Sequence, residues 1–224
     1  ISFEFGQHSK KCLESDFIVI SPGINPVNSI VNKIKNKNIP IVSEIEFASW
    51  FTKKPIIAIT GSNGKSTVVN IVAEIFSKKY RNSLIGGNIG ISFSQNVLKE
   101  KLNKLNDVIH ILEISSFQLE NIYLFSPNVC CLLNVTEDHL ERYKNKKDYF
   151  NTKLKIITNI NDSSNIIFNY DDKQLNNHFK KTTNTSAFSV VRKTLKIKVN
   201  DKKILLDNNE LIINQNQTQL IGKH

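Results

Sequence analysis

The sequence contains no methionine and only three cysteines, Cys12, Cys130 and Cys131, none of which forms a Cys-x-x-Cys pair. Without that spacing, neither a zinc knuckle nor a redox-active dithiol is indicated. Cys130 and Cys131 are neighbours in an apolar run, which predicts buried, reduced thiols of the kind usual in cytoplasmic proteins. Because the chain starts at Ile1 and lacks methionine, we expect it to be a piece of a longer protein.

Long hydrophobic runs are also missing. No stretch approaches the ~18 consecutive apolar residues that a membrane-spanning helix requires, and no signal-peptide pattern is visible. We therefore expect a protein without membrane spans that is located in the cytoplasm. A length of 224 residues is sufficient for one or two domains with a packed core.

Arginine is scarce, with three among the 30 basic residues, although the formal net charge is +10. A positive charge of this size can indicate nucleic-acid binding. Here, however, the lysines are scattered along the chain, and Asn, Ile and Lys are abundant in every part of it. We interpret the charge as a lysine-rich, solvated surface and expect no nucleic-acid partner.

The strongest pattern in the chain lies between residues 56 and 76. The apolar, β-branched run Ile56–Ile59 predicts a buried strand, and apolar residues at helical spacing in Val68–Phe76 predict a helix. Between them, Thr60 to Thr67 read TGSNGKST. A glycine turn followed by Lys-Ser-Thr at a helix N-terminus is typical of a loop that binds nucleotide phosphates. Backbone N–H groups and the helix dipole favour an anion there.

In this interpretation Lys65 reaches the terminal phosphates, and the hydroxyl of Ser66 or Thr67 holds Mg²⁺. The loop is a shorter form, because the common loop has glycine at the position of Ile59. An ordinary strand-to-helix turn is the alternative, but two glycines flanking Asn63 before Lys-Ser-Thr favour nucleotide binding. The predicted phosphate-binding residues are Gly61, Ser62, Asn63, Gly64, Lys65, Ser66 and Thr67.

The rest of the chain alternates predicted strands and helices, which is typical of α/β proteins with a doubly wound parallel sheet. Before the loop, the pattern is β-α-β-α without a glycine fingerprint, as in the back end of a partial Rossmann-like domain. The polar connector Thr52–Pro55 marks a boundary, so we predict domains at 1–53 and 54–224. The predicted elements of the first domain are strands at 17–20 and 39–42 and helices at 28–37 and 44–51.

The second domain is predicted to contain a mostly parallel central sheet. Its strands include 56–59, 108–113, 128–133 and 165–169, and a helix covers 147–160. Beyond residue 183 the pattern changes to short β-like segments, beginning at 187–191 and separated by polar turns such as Asp201–Lys202. These segments predict a small antiparallel β edge.

Further polar residues fall at predicted strand ends, where the chemistry of such sheets gathers. Asn88 follows one such segment. Glu113 is either a Mg²⁺ ligand or a surface carboxylate at the start of a helix. His139, in the Glu-Asp-His group that ends another strand, is a metal ligand, a phosphate contact or a structural residue. Spacing alone does not distinguish Lys153 from the other lysines of its helix.

With these segments in view, the whole chain resembles the Mur ligases. The loop at 60–67 is shared by all Mur ligases and by folylpolyglutamate synthases. The turn Ser21–Ile24 and the segment Gly87–Gly90 also resemble parts of the family. Two segments, Glu113–Glu120 (EISSFQLE) and 134–142 (NVTEDHLER), resemble more narrowly the member that adds D-glutamate.

The resemblance implies ATP and Mg²⁺ as cofactors. It further implies that Lys153 is carbamylated, which turns a cation into a carboxylate-like ligand for a second Mg²⁺; Lys155 is the competing candidate. By position, the resemblance implies catalytic roles for Lys65, His139 and Lys153. It implies that metal ions are bound by Ser66, Glu113, His139 and Lys153. It implies that the substrate is bound by Gly23, Asn88 and His139.

The implied activity is an ATP-dependent ligation of D-glutamate to UDP-N-acetylmuramoyl-L-alanine through an acyl phosphate. Such a reaction serves peptidoglycan precursor synthesis, and with it cell-wall biogenesis, cell shape, cell division and the cell cycle. The segment 1–53 would bind the UDP substrate, and 54–224 would form a central ATP-binding domain truncated at its C-terminal end. We expect the fragment alone to be inactive and the protein to be monomeric.

Two other functions remain open at this point. Another carboxylate–amine ligase of the same superfamily, such as a different Mur ligase or a folylpolyglutamate synthase, would lack the Ser-Ser-Phe-Gln-Leu-Glu segment. A basic, non-enzymatic nucleotide- or nucleic-acid-binding module would show salt-dependent affinity and would have no use for Glu113 or His139.

Overall fold

The computed structural model describes residues 4–6, 8–136, 142–162 and 164–189, together with the backbone of three further strands between residues 197 and 212. The first part of the chain contains a small parallel sheet. Strands β1 (Ile18–Ile20) and β2 (Ile41–Ser43) pair side by side and are connected by helix α1 (Ser29–Asn36). Val31 and Ile34 on one side of α1 are buried against this sheet, as the predicted β-α-β pattern requires.

The central sheet has nine strands within the described residues. They are β3 (Ile56–Thr60), β4 (Asn82–Gly87), β5 (Val108–Glu113), β6 (Val129–Leu132), β7 (Asn165–Asn169), β8 (Thr185–Ser189), β9 (Ile197–Asn200), β10 (Lys203–Leu206) and β11 (Asn209–Ile212). The accompanying helices are α2 (Glu44–Ser49), α3 (Lys65–Ser77), α4 (Phe93–Leu102), α5 (Ser116–Leu119), α6 (Lys146–Leu154) and α7 (Lys173–Phe179).

Strand order places the loop at residues 60–67 in the middle of the parallel region. The order across the sheet is β11-β10-β9-β8-β7-β6-β3-β5-β4, and every pair from β4 to β9 is parallel. Only the pairs β9–β10 and β10–β11 are antiparallel among these strands. The predicted mostly parallel sheet with an antiparallel edge is confirmed, although the edge starts later than predicted, since β8 pairs in parallel.

Strand β3 is buried on both faces of the sheet, which explains its uninterrupted apolar sequence. Successive side chains of a strand point to opposite faces. Ile57 and Ile59 pack in the cluster that contains Val69 and Ala73 of α3. Ile56 and Ala58 lie in the larger cluster on the other face, with residues of α2, α4, α5, α6 and α7. The loop after β3 therefore starts from a rigid strand in the centre of the molecule.

Helix α2 packs with the central part of the chain. Its Ile45 and Ala48 are buried in the same cluster as residues of β3 and β5. The carboxylate of Glu46 is fully buried and accepts hydrogen bonds from the backbone N–H groups of Tyr123, Leu124 and Phe125, at 2.8 to 3.0 Å. The indole N–H of Trp50 donates to the same carboxylate at 2.8 Å. One side chain thus fixes the loop that leads into β6.

Three local elements differ from the sequence-based prediction. Helices α5 and α7 are short and were not predicted; each begins at a capping side chain, with a capping box at Ser115 and an Asp172 carboxylate that accepts two backbone N–H groups. Helix α6 ends at Leu154, and a 3₁₀ turn over Lys155–Ile157 replaces the rest of the predicted helix.

A buried polar cluster occupies the end of β5 away from Glu113. The ring Nε2 of His110 lies 2.9 Å from Glu100 Oε2, and the Thr52 hydroxyl donates to the same oxygen at 2.7 Å. Burial lowers the pKa of His110 more than its bond to Glu100 raises it. For Glu100, burial alone would raise the pKa, but hydrogen bonds from Thr52 and His110 bring the net pKa below its ordinary value.

All three cysteines are free thiols. Cys130 and Cys131 are buried on β6, as predicted, and burial raises the pKa of each to about 12. Within the described part of the chain, no helix has both the length and the apolar character that crossing a bilayer requires.

Candidate nucleotide site

The loop between β3 and α3 depends on its two glycines. Gly64 has φ of +80°, a left-handed conformation that glycine adopts without strain, and α3 starts at the next residue. A Cβ atom on Gly61 would lie 3.0 Å from the Cβ of Leu133. The structure thus shows the tight strand–turn–helix geometry that was predicted for residues 60–67.

Asn134, directly after Leu133 and β6, clamps the tip of this loop. Its side-chain Oδ1 accepts the backbone N–H of Asn63 at 2.8 Å, and its Nδ2 donates to the carbonyl oxygen of Asn63 at 3.0 Å. The backbone N–H of Ser62 donates to the Asn134 carbonyl at 2.9 Å. The amide group of Asn134 therefore holds the loop as a neighbouring strand would. The segment 134–142 begins with this residue, but its sequence does not indicate this role.

The side chain of Ser62 is used within the protein. Its Oγ donates to the carbonyl oxygen of Thr136 at 3.0 Å, accepts the N–H of Thr136 at 3.0 Å and lies 3.1 Å from the hydroxyl of Tyr149. Phosphate binding by Ser62 stays a prediction. Its hydroxyl joins the loop to helix α6, and Tyr149 is a residue of this site that no sequence pattern indicates.

Two lysines from distant parts of the chain meet at the loop. Lys65 Nζ donates to the carbonyl oxygens of Gly61 and Ser62, each at 2.9 Å. Lys153 Nζ donates to the same Gly61 carbonyl at 2.9 Å and lies 4.8 Å from the centre of the Tyr149 ring. Lys153 is only 2% exposed. The competing Lys155 binds elsewhere, donating to the carbonyl of Glu120 at 2.7 Å. The geometry favours Lys153 over Lys155 as a residue of this site.

Glu113 lies at the carboxyl end of β5, next to β3. It is buried, which argues against the alternative of a surface carboxylate. The hydroxyl of Ser66 donates to Oε2 at 2.6 Å, and Nδ2 of Asn88 donates to Oε1 at 2.8 Å. Gly87 precedes Asn88, has φ of +96° and packs against the backbone of Glu113. A Cβ at Gly87 would lie 2.3 Å from the Glu113 carbonyl oxygen, so glycine allows the two strand ends to come this close. The structure brings Ser66, Asn88 and Glu113 together as predicted.

These donors suit a small divalent cation. The Ser66 hydroxyl and the Glu113 carboxylate are oxygen ligands at a helix N-terminus, and Mg²⁺ in phosphate sites is commonly held by one or two such groups together with substrate phosphates. Larger ligand sets of His, Cys, Asp and Glu do not occur among the described residues. Ser66 and Glu113 could thus hold Mg²⁺ beside a bound phosphate.

The turn at Ser21–Ile24, which contains Gly23, faces the central part of the chain. The N–H of Ile24 closes the turn on the carbonyl of Ser21 at 3.0 Å. Between this turn and α5 lies a cavity of about 240 Å³. Arg142 lines it and binds the turn, a role that no motif in the sequence indicates. The rarity of arginine in this chain is the signal that could have found it.

The remaining site predictions lie outside the described residues. They are His139 and the other two residues of its Glu-Asp-His group, Glu137 and Asp138.

Comparison with known proteins gives a consistent result. Residues 59–224 match the Mur ligase middle domain family. The UDP-N-acetylmuramoylalanine–D-glutamate ligase of Christiangramia forsetii is 37% identical over 100% of this chain and 51% of its own length. The enzyme of the same name from Chloroherpeton thalassium is 42% identical over 80% of this chain and 38% of its own. The chain thus spans about half the length, or less, of these curated relatives.

Solved structures share the fold. A UDP-N-acetylmuramoyl-L-alanyl-D-glutamate–2,6-diaminopimelate ligase superposes with a TM-score of 0.62 over 88% of this chain and 55% of the other, at 15% identity. A MurF ligase from Thermotoga maritima, solved in complex with ADP, superposes with a TM-score of 0.57. The match covers 92% of this chain and 59% of the other, also at 15% identity.

Proposed function

The chain belongs to the Mur ligase family, and on that premise we propose that it is the ATP-binding part of a ligase that adds D-glutamate to UDP-N-acetylmuramoyl-L-alanine in peptidoglycan precursor synthesis. Curated relatives at 37% and 42% identity bear the name of that enzyme. The segments Glu113–Glu120 and 134–142 support the same acceptor.

One observation supports the proposal most strongly. Lys65, Ser66, Glu113 and Lys153 come from three separate elements and converge around one phosphate-type loop. A turn that was merely structural would not need a buried carboxylate and two ammonium groups at the same place. This arrangement suits a reaction in which negative charge on a phosphoryl group must be stabilised.

In the proposed reaction, a carboxylate oxygen of the L-alanyl group attacks the γ-phosphorus of ATP, and ADP leaves. The amine of D-glutamate then attacks the carbonyl carbon of the acyl phosphate, inorganic phosphate leaves and the amine loses a proton. Activation is needed because the free carboxylate repels nucleophiles and has no good leaving group. Mg²⁺, held by Ser66 and Glu113, would offset phosphate charge.

The chain's own residues have distinct tasks in this scheme. Lys65 turns from the Gly61 and Ser62 carbonyls toward the terminal phosphates, and the N–H groups at the start of α3 face the same anion. Asn88 orients Glu113 through its amide and contacts the UDP substrate beside it. His139 contributes to the substrate and second metal sites. Lys153 is proposed to carry a carbamate there.

The test uses the complete protein that contains this chain. ADP release is measured with UDP-N-acetylmuramoyl-L-alanine, with and without D-glutamate, and with L-lysine, diaminopimelate or a folate–glutamate pair as controls. We expect turnover only with D-glutamate. Turnover with a different acceptor would keep the ligase chemistry and reject the specificity, whereas strong nucleic-acid binding without any turnover would favour the binding-module alternative.

Lys65→Ala provides the matching test of the loop. We expect at least a ~10²-fold loss of turnover, since the variant removes a cation that faces the transferred phosphoryl group. Lys78→Ala is the control, because Lys78 is exposed just beyond the other end of α3. Near-normal turnover in Lys65→Ala would mean that the loop has a different role.

A further inference from the structure

Arg142 connects the Ser21–Ile24 turn to the central part of the chain. Its Nη1 donates to the carbonyl oxygen of Pro22 at 3.2 Å, and its Nη2 lies 3.4 Å from that of Ile24. On the other side, its Nε and Nη2 each donate to a different carboxylate oxygen of Glu120, both at 2.8 Å. One guanidinium group therefore spans the boundary between the two parts.

The contacts require arginine rather than lysine. A planar guanidinium can make two parallel hydrogen bonds to a carboxylate and still direct other N–H groups elsewhere. The plane of Arg142 also lies over the ring of Phe117, 4.2 Å from its centre. Only three of the 30 basic residues in the sequence are arginines, and one of them occupies this position.

The carboxylate partner is itself held in place. The hydroxyl of Tyr143 donates to Glu120 Oε1 at 3.1 Å, and Lys155 Nζ donates to the Glu120 backbone carbonyl at 2.7 Å. Arg142 and Glu120 are only 15% and 18% exposed as side chains. A largely buried, bidentate and oriented pair is more rigid than a surface ion pair.

This pair is also connected to the nucleotide site. Glu120 directly follows α5, which begins just after the buried Glu113. Upstream of Arg142 in the same segment of the chain, Asn134 and Thr136 bind the phosphate loop. The turn and the loop are thus fixed to the same two segments of the central part.

We infer that Arg142 is a positioning residue. It sets where the Ser21–Ile24 turn, and the UDP-sugar substrate bound there, lies relative to the phosphate loop. The inference rests on the proposed function, in which the turn with Gly23 contacts that substrate. Its signature is selective: loss of Arg142 weakens UDP-substrate binding and leaves nucleotide binding at the loop unchanged.

The experiment measures two dissociation constants in the complete protein by calorimetry, one for UDP-N-acetylmuramoyl-L-alanine and one for Mg²⁺–ADP. Arg142→Gln is expected to raise the first by about tenfold or more, because it removes charge-assisted hydrogen bonds, and to change the second by less than about twofold. Arg81→Gln is the control, since Arg81 is an exposed arginine directly before β4. If Arg142→Gln binds the UDP substrate normally, the inference is wrong.

A charge exchange separates positioning from simple stabilisation. The double variant Arg142→Glu with Glu120→Arg can restore an ion pair, but a glutamate at 142 cannot donate to the carbonyls of Pro22 and Ile24. We expect the thermal unfolding midpoint to recover and UDP-substrate affinity to stay weak. Recovery of affinity together with the midpoint would overturn the inference, because the ion pair alone would then be sufficient.

One further variant and the unsubstituted protein complete the experiment. Arg142→Lys retains the charge and is used if Arg142→Gln does not fold; normal UDP-substrate affinity in Arg142→Lys would also contradict the need for a planar group. If the unsubstituted protein itself does not bind UDP-N-acetylmuramoyl-L-alanine, the proposed function fails, which is distinct from a failure of the inference in a protein that does bind it.

Discussion

Lys65 and Lys153 direct their ammonium nitrogens to one acceptor, each lying 2.9 Å from the carbonyl oxygen of Gly61. Lys65 belongs to the loop itself, whereas Lys153 reaches it from helix α6 and is almost completely buried. Two cations at one carbonyl are favourable where a phosphoryl group supplies the compensating negative charge. The pair therefore suits a site that handles phosphate.

The first prediction concerns Lys153. Lys153→Met retains much of the length and apolar volume of the side chain but removes Nζ. We expect turnover to fall by at least about 10²-fold, through loss of a charged group at the reacting phosphate, with folding monitored by circular dichroism. Lys147→Met, on an exposed position of the same helix, should retain full activity. Equal activity in both variants would remove Lys153 from the proposed machinery.

The second prediction concerns Glu113. Glu113→Gln is nearly isosteric and can still accept the hydrogen bond from Ser66, but it loses the negative charge that suits Mg²⁺. We expect the Mg²⁺ concentration for half-maximal turnover to rise by about 10- to 100-fold, as for other changes around metal sites. A Mg²⁺ titration of ADP release measures this.

Glu74→Gln, an exposed acidic residue on α3, is the matched control for that titration. An unchanged Mg²⁺ requirement in Glu113→Gln would show that the carboxylate serves only to hold Ser66 and Asn88.

The third prediction concerns the clamp on the loop. Asn134→Asp keeps the acceptor for the Asn63 N–H but replaces the Nδ2 donor with a charged oxygen facing the Asn63 carbonyl. We expect a loss of ~1–3 kcal/mol in unfolding free energy and about a tenfold higher KM for ATP, measured by denaturant titration and steady-state kinetics. Asn177→Asp, at an exposed position of α7, should change neither, and a normal KM in Asn134→Asp would argue that the loop keeps its shape unaided.

The fourth prediction is a pH dependence of stability. The pKa of buried His110 is lowered from its ordinary value of 6.5, so the unfolded chain binds a proton more readily than the folded chain. The folded protein therefore loses stability as the pH drops below 6.5, and this loss ends once the pH is below the pKa of His110 in the folded protein. Glu100, with a pKa below its ordinary 4.5, adds a loss of the same sign at lower pH.

Thermal unfolding midpoints between about pH 7.5 and 5.5 test the histidine contribution. His110→Gln retains a donor for Glu100 but does not titrate, so its midpoint should vary less over this range. The charged neighbours of the cluster include Lys101, 3.5 Å from Glu100 Oε1, and Lys101→Gln should keep the normal slope. A histidine variant with the slope of the parent protein would contradict the assignment.

Much of the parallel sheet could be predicted from the sequence because its signals are local. Strand β3 is buried on both faces and so is apolar throughout, and the loop needs glycine at Gly64 for a local reason, its left-handed φ of +80°. The convergence of Ser66, Asn88 and Glu113 follows from one rule, that parallel strands end at the same edge.

The rest depended on tertiary contacts that no local pattern contains. Helices α5 and α7 are too short to show a hydrophobic period and are stabilised by caps and packing. Lys153 could be distinguished from Lys155 by resemblance alone, because spacing does not show that one side chain binds the Gly61 carbonyl and the other the Glu120 carbonyl. The roles of Asn134 and Arg142 arise from partners far away in the sequence, which spacing cannot reveal.

The burial of α2 has a practical consequence for dissecting the protein. A fragment that starts at residue 54, after the polar connector, would delete Ile45 and Ala48 from the larger core and would remove the Glu46 carboxylate that three backbone N–H groups of the 123–125 loop require. The strand–loop unit meant to be isolated would then have an open hydrophobic face. A fragment designed to fold should begin before Ser43, whose N–H binds the carbonyl of Asn121, so that α2 stays with the sheet it covers.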